Sequence, residues 1–574
     1  MKKLINEVGD VVPEMLEGLV AANPGLVLLD GQTVVVRRDH ADLARDGVVA
    51  VLSGGGAGHE PAHGGYVGPG MLTGAVVGDV FTSPSTDAVL AALRTVGDAP
   101  GALLVVKNYT GDRLNFGLAA EIARTEGLDV EMVVVGDDVA LAAEGDHAGR
   151  RGIAGTVLVH KAAGAAAARG DDLAGVRDVA QRVADGVRSM GVALGACTVP
   201  AVGRPGFELG EDEVEWGLGI HGEAGVERGA LVGADAVAER LVGAVADDAG
   251  LSDGDRVVLL VNDLGTTPPS ELDVVARGAV RVLRGRGVRV ERLWAGAFLT
   301  ALDMPGCSVS VLAVDDDLLE LLDAPSETSA WPAAHRGRVT PEGEERLAAP
   351  ADPDTVDRTS GTPPDGPPDG PVRRALEAAC AALRDAEPEL TRMDSEVGDG
   401  DLGTGLARGA TAVQQELDGY AGDAAGTLRG ASATLRRAIG GTSGPLYAIL
   451  LLRAAAELHE RGGAGDDPRS WAHALRAGAD GIREVGGAEV GDRTMLDALV
   501  PLADTLAAAL EEGADATEAL ARAVEAAREG TAGTSDRVAR VGRSSYLGER
   551  VRGTPDPGAH AVVVWAEAVQ RTLA

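Results

Sequence analysis

Residues 346–371, RLAAPADPDTVDRTSGTPPDGPPDGP, divide the chain into two parts that obey different rules. Proline, glycine and aspartate dominate this stretch, and no apolar periodicity survives in it, so it reads as a linker, semi-rigid where proline clusters. Before it, short continuous apolar runs alternate with Ala/Leu-rich stretches. VVAVLS (48–53), ALLVVKNY (102–109), VEMVVV (130–135), VVLLVND (257–263) and SVSVLAV (308–314) are candidate strands. A strand with an unbroken apolar run is buried on both faces, as in an α/β sheet. STDAVLAALRTV (85–96) is one of the intervening helices. After the linker no strand run is evident. Leu376, Cys380 and Leu383 recur at i, i+4 and i+7, a helical stripe. YAILLLRAAAELHERG, TMLDALVPLADTLAAALEEG, ATEALARAVEAAREGT and AHAVVVWAEAVQRTLA are helix-like as well. The expected fold is therefore a two-lobed α/β part, the linker, and an all-α domain of about seven to nine helices. We place the lobes at 1–190 and 191–345, and the helical domain at 372–574.

Bulk properties narrow the partners. The chain has 574 residues and a formal net charge of −36. That charge argues against a nucleic-acid partner or an anionic membrane, though a metal ion would supply local positive charge for a nucleotide. Aromatic residues make up only 2%, so the cores are built from Ala, Val and Leu. The three cysteines, Cys197, Cys307 and Cys380, lack metal spacing, and a reduced, cytoplasmic setting is the default. The start of the chain has no apolar signal-peptide core, and no apolar run approaches the ~20 residues of a membrane span.

Several glycine-rich stretches carry candidate chemistry. In MDSEVGDGDLGTG (393–405), Asp394, Asp399 and Asp401 are spaced D-x4-D-x-D among glycines; such hard oxygen donors suit Mg²⁺ or Ca²⁺. IGGTSGPLYAILLL (439–452) places hydroxyls and Pro445 at a helix N-terminus, a ready anion cradle. GGAEVGDRTMLDAL (486–499) and GRSSYLGERVRGTPDPGAH (542–560) are polar, glycine-rich loops of the same kind. Neither a Walker P-loop nor the protein-kinase motifs are present. In the first part, LSGGGAGHEPAHGGYVGPG (52–70) leaves a strand and carries His59. VVKNYTGDRLNF (105–116) carries Lys107 and Asp112, and GDVFTSPS (78–85) forms a third loop. Ligands of open α/β sheets sit at such carboxyl ends of strands. GLGIHG (217–222) matches the dinucleotide pattern G-x-G-x-x-G, but the run before it, GEDEVE, is too acidic for a central strand, so His221 is the more informative residue.

SGGGAGHEP, KNYTGD, GDVFTSP and GLGIHGEAG resemble the substrate-binding part of dihydroxyacetone kinases. MDSEVGDGDLGT, GGTSGP, GDRTMLDAL and GRSSYLGERVRGTPDPGA resemble the nucleotide-binding part. The order of the motifs is that of the single-chain, ATP-dependent form. The resemblance implies that His221 forms a hemiaminal with the carbonyl of dihydroxyacetone. His59 would hydrogen-bond the substrate and assist proton movement, and Asp112 would act as base toward the attacking hydroxyl. Lys107 with Gly56, Ala57 and Gly58 would line the pocket. It further implies Mg²⁺ on Asp394, Asp399 and Asp401. Nucleotide contacts would come from Asp401, Leu402, Gly403, Thr404, Thr442, Ser443, Gly444, Gly486, Thr494, Met495, Asp556, Pro557 and Gly558. A barrel of antiparallel helices and a homodimer are expected as well. Ala57 stands where the family often has serine, Leu402 where histidine or another polar residue is frequent, and Glu489 where a basic or neutral residue is common. Another short carbonyl sugar, such as glyceraldehyde or erythrulose, is an alternative substrate, with or without cyclisation of FAD. A silent ligand-sensing regulator is the alternative of another class; it would be expected to lose His221 or a metal aspartate, and this chain keeps them.

Overall fold

The computed structural model describes residues 2–141, 149–223, 225–332, 339, 370–398, 400–420, 423–462, 467–541 and 543–573. It separates into two compact units, Met1–Arg346 and Leu347–Ala574. Nearly all of the expected linker lies outside the described residues; Pro371 already opens a helix, Pro371–Asp385.

The first unit holds two six-stranded sheets. The first sheet comprises β1 (Leu26–Leu28), β2 (Val34–Arg37), β3 (Ala50–Ala57), β4 (Gly74–Val80), β5 (Ala102–Lys107) and β6 (Val130–Val135). Their order is β1-β2-β4-β3-β5-β6, with β4, β3, β5 and β6 mutually parallel. Alternate residues of β3 enter different cores. Val51 packs in a cluster with the helices Thr156–Arg169 and Leu173–Gly186, while Ala50 and Leu52 pack with Thr86–Thr95 and Thr110–Thr125. That two-sided burial is why the strand reads as a continuous apolar run.

The chain leaves β3, pairs β4 on one side and then crosses to β5 on the other. The carboxyl end of β3 is thus the topological switch point, where open α/β sheets bind ligands. The strand extends through the glycines to Ala57, beyond the expected end at residue 53. Glycine is required there for close backbone packing: a Cβ on Gly54 would lie 2.2 Å from the Val76 carbonyl oxygen, and one on Gly56 would lie 2.5 Å from the Thr82 nitrogen.

The second sheet comprises β7 (Arg188–Ala193), β8 (Glu213–Trp216), β9 (Glu227–Ala230), β10 (Arg256–Asp263), β11 (Arg289–Gly296) and β12 (Gly306–Ala313), in the order β11-β10-β12-β7-β8-β9. β7 runs across the division drawn at 190/191. Val258, Leu260 and Leu312 of this sheet enter the same hydrophobic cluster as Val51, so the two sheets share a core.

The second unit is helical, with nine α-helices among the described residues. Eight of them close a ring. Neighbours run in the order Pro371–Asp385, Leu402–Glu416, Ala424–Ala438, Ser443–Glu460, Pro468–Gly486, Leu496–Glu511, Ala516–Gly533 and Pro557–Leu573, and the last packs on the first. The ring encloses an apolar cavity of about 430 Å³ lined by Leu376, Cys380, Leu451, Trp471 and Trp565 among others. The α/β part followed by an all-helical barrel is the architecture expected from the sequence. No helix among the described residues is long and apolar enough to cross a membrane.

Candidate functional site

The site of the α/β unit forms where β3 ends. His59 follows that strand and is fully buried. Its Nδ1 lies 2.8 Å from the carbonyl oxygen of Thr300. A carbonyl only accepts, so Nδ1 carries the hydrogen and Nε2 keeps a lone pair. Nε2 is buried and has no protein partner. Burial holds the imidazole well below its usual range, aided by His221 and Lys107, so it is neutral. An unpaired buried acceptor costs stability and calls for an explanation outside the fold; here it is a base without a proton.

The loop between β8 and β9 brings His221 alongside. The His59 and His221 rings meet edge-on with centroids 4.9 Å apart, and Tyr109 and Phe81 face His221 edge-on at 4.5 and 5.4 Å. Glu223 folds back over its own turn. One carboxylate oxygen accepts from the His221 backbone N–H at 2.8 Å and the other lies 3.6 Å from the ring Nδ1. Burial raises the Glu223 carboxyl, but hydrogen bonds from His221 outweigh it and hold the group at about 2. Glycine at 219 makes this possible, because a Cβ there would lie 2.5 Å from that carboxylate. With Nδ1 turned to a carboxylate, Nε2 is the ring nitrogen of His221 that keeps a lone pair. No helix follows Gly222; the chain enters β9, and β8 lies next to the sheet edge. The dinucleotide pattern therefore lacks its strand–turn–helix setting.

Lys107 is the last residue of β5 and Asp112 lies in the first turn of helix Thr110–Thr125, one strand-end away from His59. Both are buried. Burial lowers the Lys107 ammonium and the Asp112 charge pulls it back up. Gly56, Ala57 and Gly58 complete the strand end, and Gly58 donates its N–H to Glu60 at 3.0 Å. Tyr109, Phe81 and Glu223 are parts of this site that the residue-by-residue reading passed over. All three sit inside the stretches already quoted, Glu223 two residues past His221. The signal available was proximity to a motif.

In the helical unit, position in the ring decides what meets what. From residue 402 onward consecutive helices are neighbours joined tip to tip, hence antiparallel. The N-termini of Leu402–Glu416, Ser443–Glu460, Leu496–Glu511 and Pro557–Leu573 therefore share one end. Close approaches agree with this. A Cβ on Gly441 would lie 3.8 Å from Asp401 Oδ2, one on Gly558 3.7 Å from the Met495 Cβ, and one on Gly486 3.9 Å from Leu446. Thr554 Oγ1 donates to Glu396 at 3.1 Å. Asp497 accepts from the N–H groups of Gly491 and Thr494 at 2.7 and 2.9 Å and shapes that loop. Four helix N-termini, the positive ends of their dipoles, thus gather at one end of the ring.

Asp394 lies in the last turn of helix Glu387–Val397, with its carboxylate accepting from the Leu402 N–H at 3.2 Å. Asp401 is the residue before the next helix and is exposed, as are Thr404 and Thr442. Gly403 and Gly444 are buried close to backbone, and Ser443 is half-buried. Asp556 is buried and lifted to about 6 by burial, despite its bond from the Ala559 N–H, with Asp497 and Asp394 adding like charge. Carboxylate oxygens that repel one another at an open glycine turn are the donor type a hard divalent cation takes. Asp399 lies outside the described residues, and among the described residues no three His, Cys, Asp or Glu side chains are grouped to enclose a metal.

Residues 17–330 match the Dak1 domain and residues 396–571 the DAK2 domain, which makes this a fused two-domain chain of the Dak1–DAK2 class. It is 42% identical to the Triokinase/FMN cyclase of Homo sapiens over 581 residues, covering 100% of this chain and 99% of that protein. It is 38% identical to the D-erythrulose kinase of Mycolicibacterium smegmatis, covering 99% and 98%. The crystal structure of the dihydroxyacetone kinase from C. freundii in complex with AMP-PNP and Mg2+ matches with a TM-score of 0.61 and 34% identity over 99% of both chains. The chain belongs to the dihydroxyacetone kinase family, and it is an enzyme of the kinase class.

Proposed function

We propose that this enzyme phosphorylates a short ketose, dihydroxyacetone first, at the expense of ATP, with the sugar held as a hemiaminal on Nε2 of His221. The observation that carries the reading is the pair of buried or half-buried imidazoles at the strand ends, one with a free lone pair and one turned by Glu223. Attack of His221 Nε2 on the carbonyl carbon forms a C–N bond as the C=O π pair moves to oxygen; the oxygen takes up a proton from water and the ring gives up its Nδ1 proton to water in exchange. His59 Nε2 is the base within reach of that oxygen and of the sugar hydroxyls. Asp112 accepts the proton of the hydroxyl that takes the phosphoryl group, and Lys107 lines the pocket. Gly56, Ala57 and Gly58 let the small sugar approach backbone.

The nucleotide belongs to the helical unit. Its phosphates lie on the turns at Asp401–Thr404 and Thr442–Gly444, and its base and ribose lie against Gly486, Thr494, Met495 and Asp556–Gly558. Asp394, Asp399 and Asp401 supply oxygen ligands for Mg²⁺, which when bound neutralises charge on the phosphates. Positioning and charge neutralisation are what phosphoryl transfer requires of a protein.

Two relatives act on other compounds by name, so the sugar is the point to test. A steady-state screen with Mg-ATP should give the highest kcat/KM with dihydroxyacetone, lower values with erythrulose and glyceraldehyde, and none with glycerol, which has no carbonyl to add to. Turnover of glycerol at the ketose rate would exclude the covalent reading. Release of cyclic FMN from FAD, assayed alongside, tests the second activity that the human relative's name suggests.

A further inference from the structure

Behind the sugar pocket, Lys107 meets a row of side chains to which the chemistry above gives no task. Nζ of Lys107 lies 2.8 Å from Nε2 of His63 and 3.4 Å from the Gly54 carbonyl oxygen. Nδ1 of His63 lies 2.9 Å from Nε2 of His160. Ser53 Oγ stands 3.5 Å from His63 Nδ1, but its hydrogen is committed to the Val105 carbonyl at 2.7 Å. His160 sits in helix Thr156–Arg169, and its far nitrogen, Nδ1, is buried without a partner. The nearest phenol, on Tyr66, donates to the Phe298 carbonyl at 2.6 Å. Lys107, His63 and His160 are 0, 3 and 0% exposed.

Counting hydrogens fixes the direction of this chain. A neutral imidazole has one donor and one acceptor, and an ammonium only donates. With Lys107 charged, His63 must accept at Nε2 and donate from Nδ1. His160 must then accept at Nε2, and its spare N–H ends the chain unpaired. With Lys107 neutral the order can reverse, and the spare atom on His160 becomes a bare acceptor. The charge on Lys107 and the tautomers of both histidines are therefore one linked state. Burial keeps both imidazoles neutral, His160 at about 3 and His63 lower than usual with Lys107 and His160 adding to the effect. The groups facing Lys107 are the Asp112 carboxylate and the neutral rings of His59, His63 and His160.

We propose that His63 and His160 are positioning residues that act through Lys107, forming a two-imidazole hydrogen-bond chain that aims the ammonium at the sugar and keeps it charged. This rests on the reading that the sugar lies against Lys107. It predicts that the chain sets ketose affinity and its upper pH limit while leaving phosphoryl transfer alone.

The test compares full-length wild type with His160→Leu and His160→Gln. Leucine cannot accept the His63 N–H; the glutamine carbonyl can. His160→Leu should raise KM for dihydroxyacetone about tenfold with kcat within twofold, and should move the alkaline fall of kcat/KM down by about one pH unit. His160→Gln should restore both. Equal KM and pH profiles for wild type and the folded His160→Leu, or a Gln variant as impaired as Leu, would overturn the proposal. A direct check needs no sugar: ¹⁵N-histidine spectra of the wild type at pH 7.5 should show His63 as the Nδ1–H tautomer, and an Nε2–H tautomer overturns the chain even where the leucine variant fails to fold. Absence of any ketose turnover by the wild type refutes the functional reading instead, and the tautomer measurement still decides the hydrogen-bond order.

Discussion

The two units build their sites from opposite materials. In the α/β unit the key atoms are nitrogens of His59, His63 and His160, buried, neutral and partly unpaired. In the helical unit they are aspartates, hydroxyls and backbone N–H groups at the rim of a ring, with Asp401, Thr404 and Thr442 exposed. On the proposed reading, a small neutral sugar needs a base that stays unprotonated and exclusion of competing water, and at His59 both follow from burial. A highly charged nucleotide with its cation is held by groups that stay solvated until it arrives, because burying several carboxylates without it is costly. Asp556, the one buried member of the predicted nucleotide set that titrates, illustrates the cost, since its carboxyl is pushed to about 6.

The sharpest way to break this contrast is His221→Ala. Loss of the adduct should lower kcat/KM for dihydroxyacetone by about 10³-fold or more and abolish the preference over glycerol. Mg-nucleotide affinity, measured by calorimetry, should stay unchanged. A parallel fall in nucleotide affinity would show that the two sites are not separately built. The converse variant, Asp394→Asn, should weaken Mg-nucleotide binding at least about tenfold, or 1.4 kcal/mol, with ketose binding intact. Unchanged nucleotide affinity in the folded variant would remove Asp394 from the cation site.

A third test separates the units by acid. His59, His63 and His160 all have folded pKa values lowered by burial. Below the unfolded value of about 6.5 the unfolded chain gains protons that the native unit refuses, so stability falls as pH falls from there. Each histidine contributes a slope of up to about 1.4 kcal/mol per pH unit. Hydrogen exchange followed between pH 7 and 5 should therefore show protection falling first in β3 and helix Thr156–Arg169. Earlier loss in the helical ring would contradict the assignment of burial as the cause.

Much of this was legible in the sequence, and unevenly so. VEMVVV coincides with β6, and VVLLVND lies within one residue of β10, because strands buried on both faces leave unbroken apolar runs. Seven of the twelve strands among the described residues, β1, β2, β4, β7, β8, β9 and β11, are not among the expected runs. β4 is rich in glycine, and β8 is acidic because it lies next to the edge, where Glu215 caps the Gly225 N–H and pairs with Arg228. The aspartates and glycine turns of the helical unit announced themselves as clusters. His63 and His160 did not, since they are 97 positions apart and only the fold makes them neighbours. A His-Lys pair inside the otherwise apolar helix VLVHKAAGAAAA was the available hint, since buried polar side chains need partners.

The closed ring of helices has a consequence for how this unit tolerates change in length. Its connections fall alternately at two rims, so every second one belongs to the cradle and the others do not. Inserted residues in the turns that precede positions 424, 468 and 516 lengthen the far rim alone, whereas one residue added in 398–401 or 439–442 displaces a helix start that the cradle needs. Drift in loop length should thus follow a period of two along the gene, and fusion partners or reporter tags belong at the far rim.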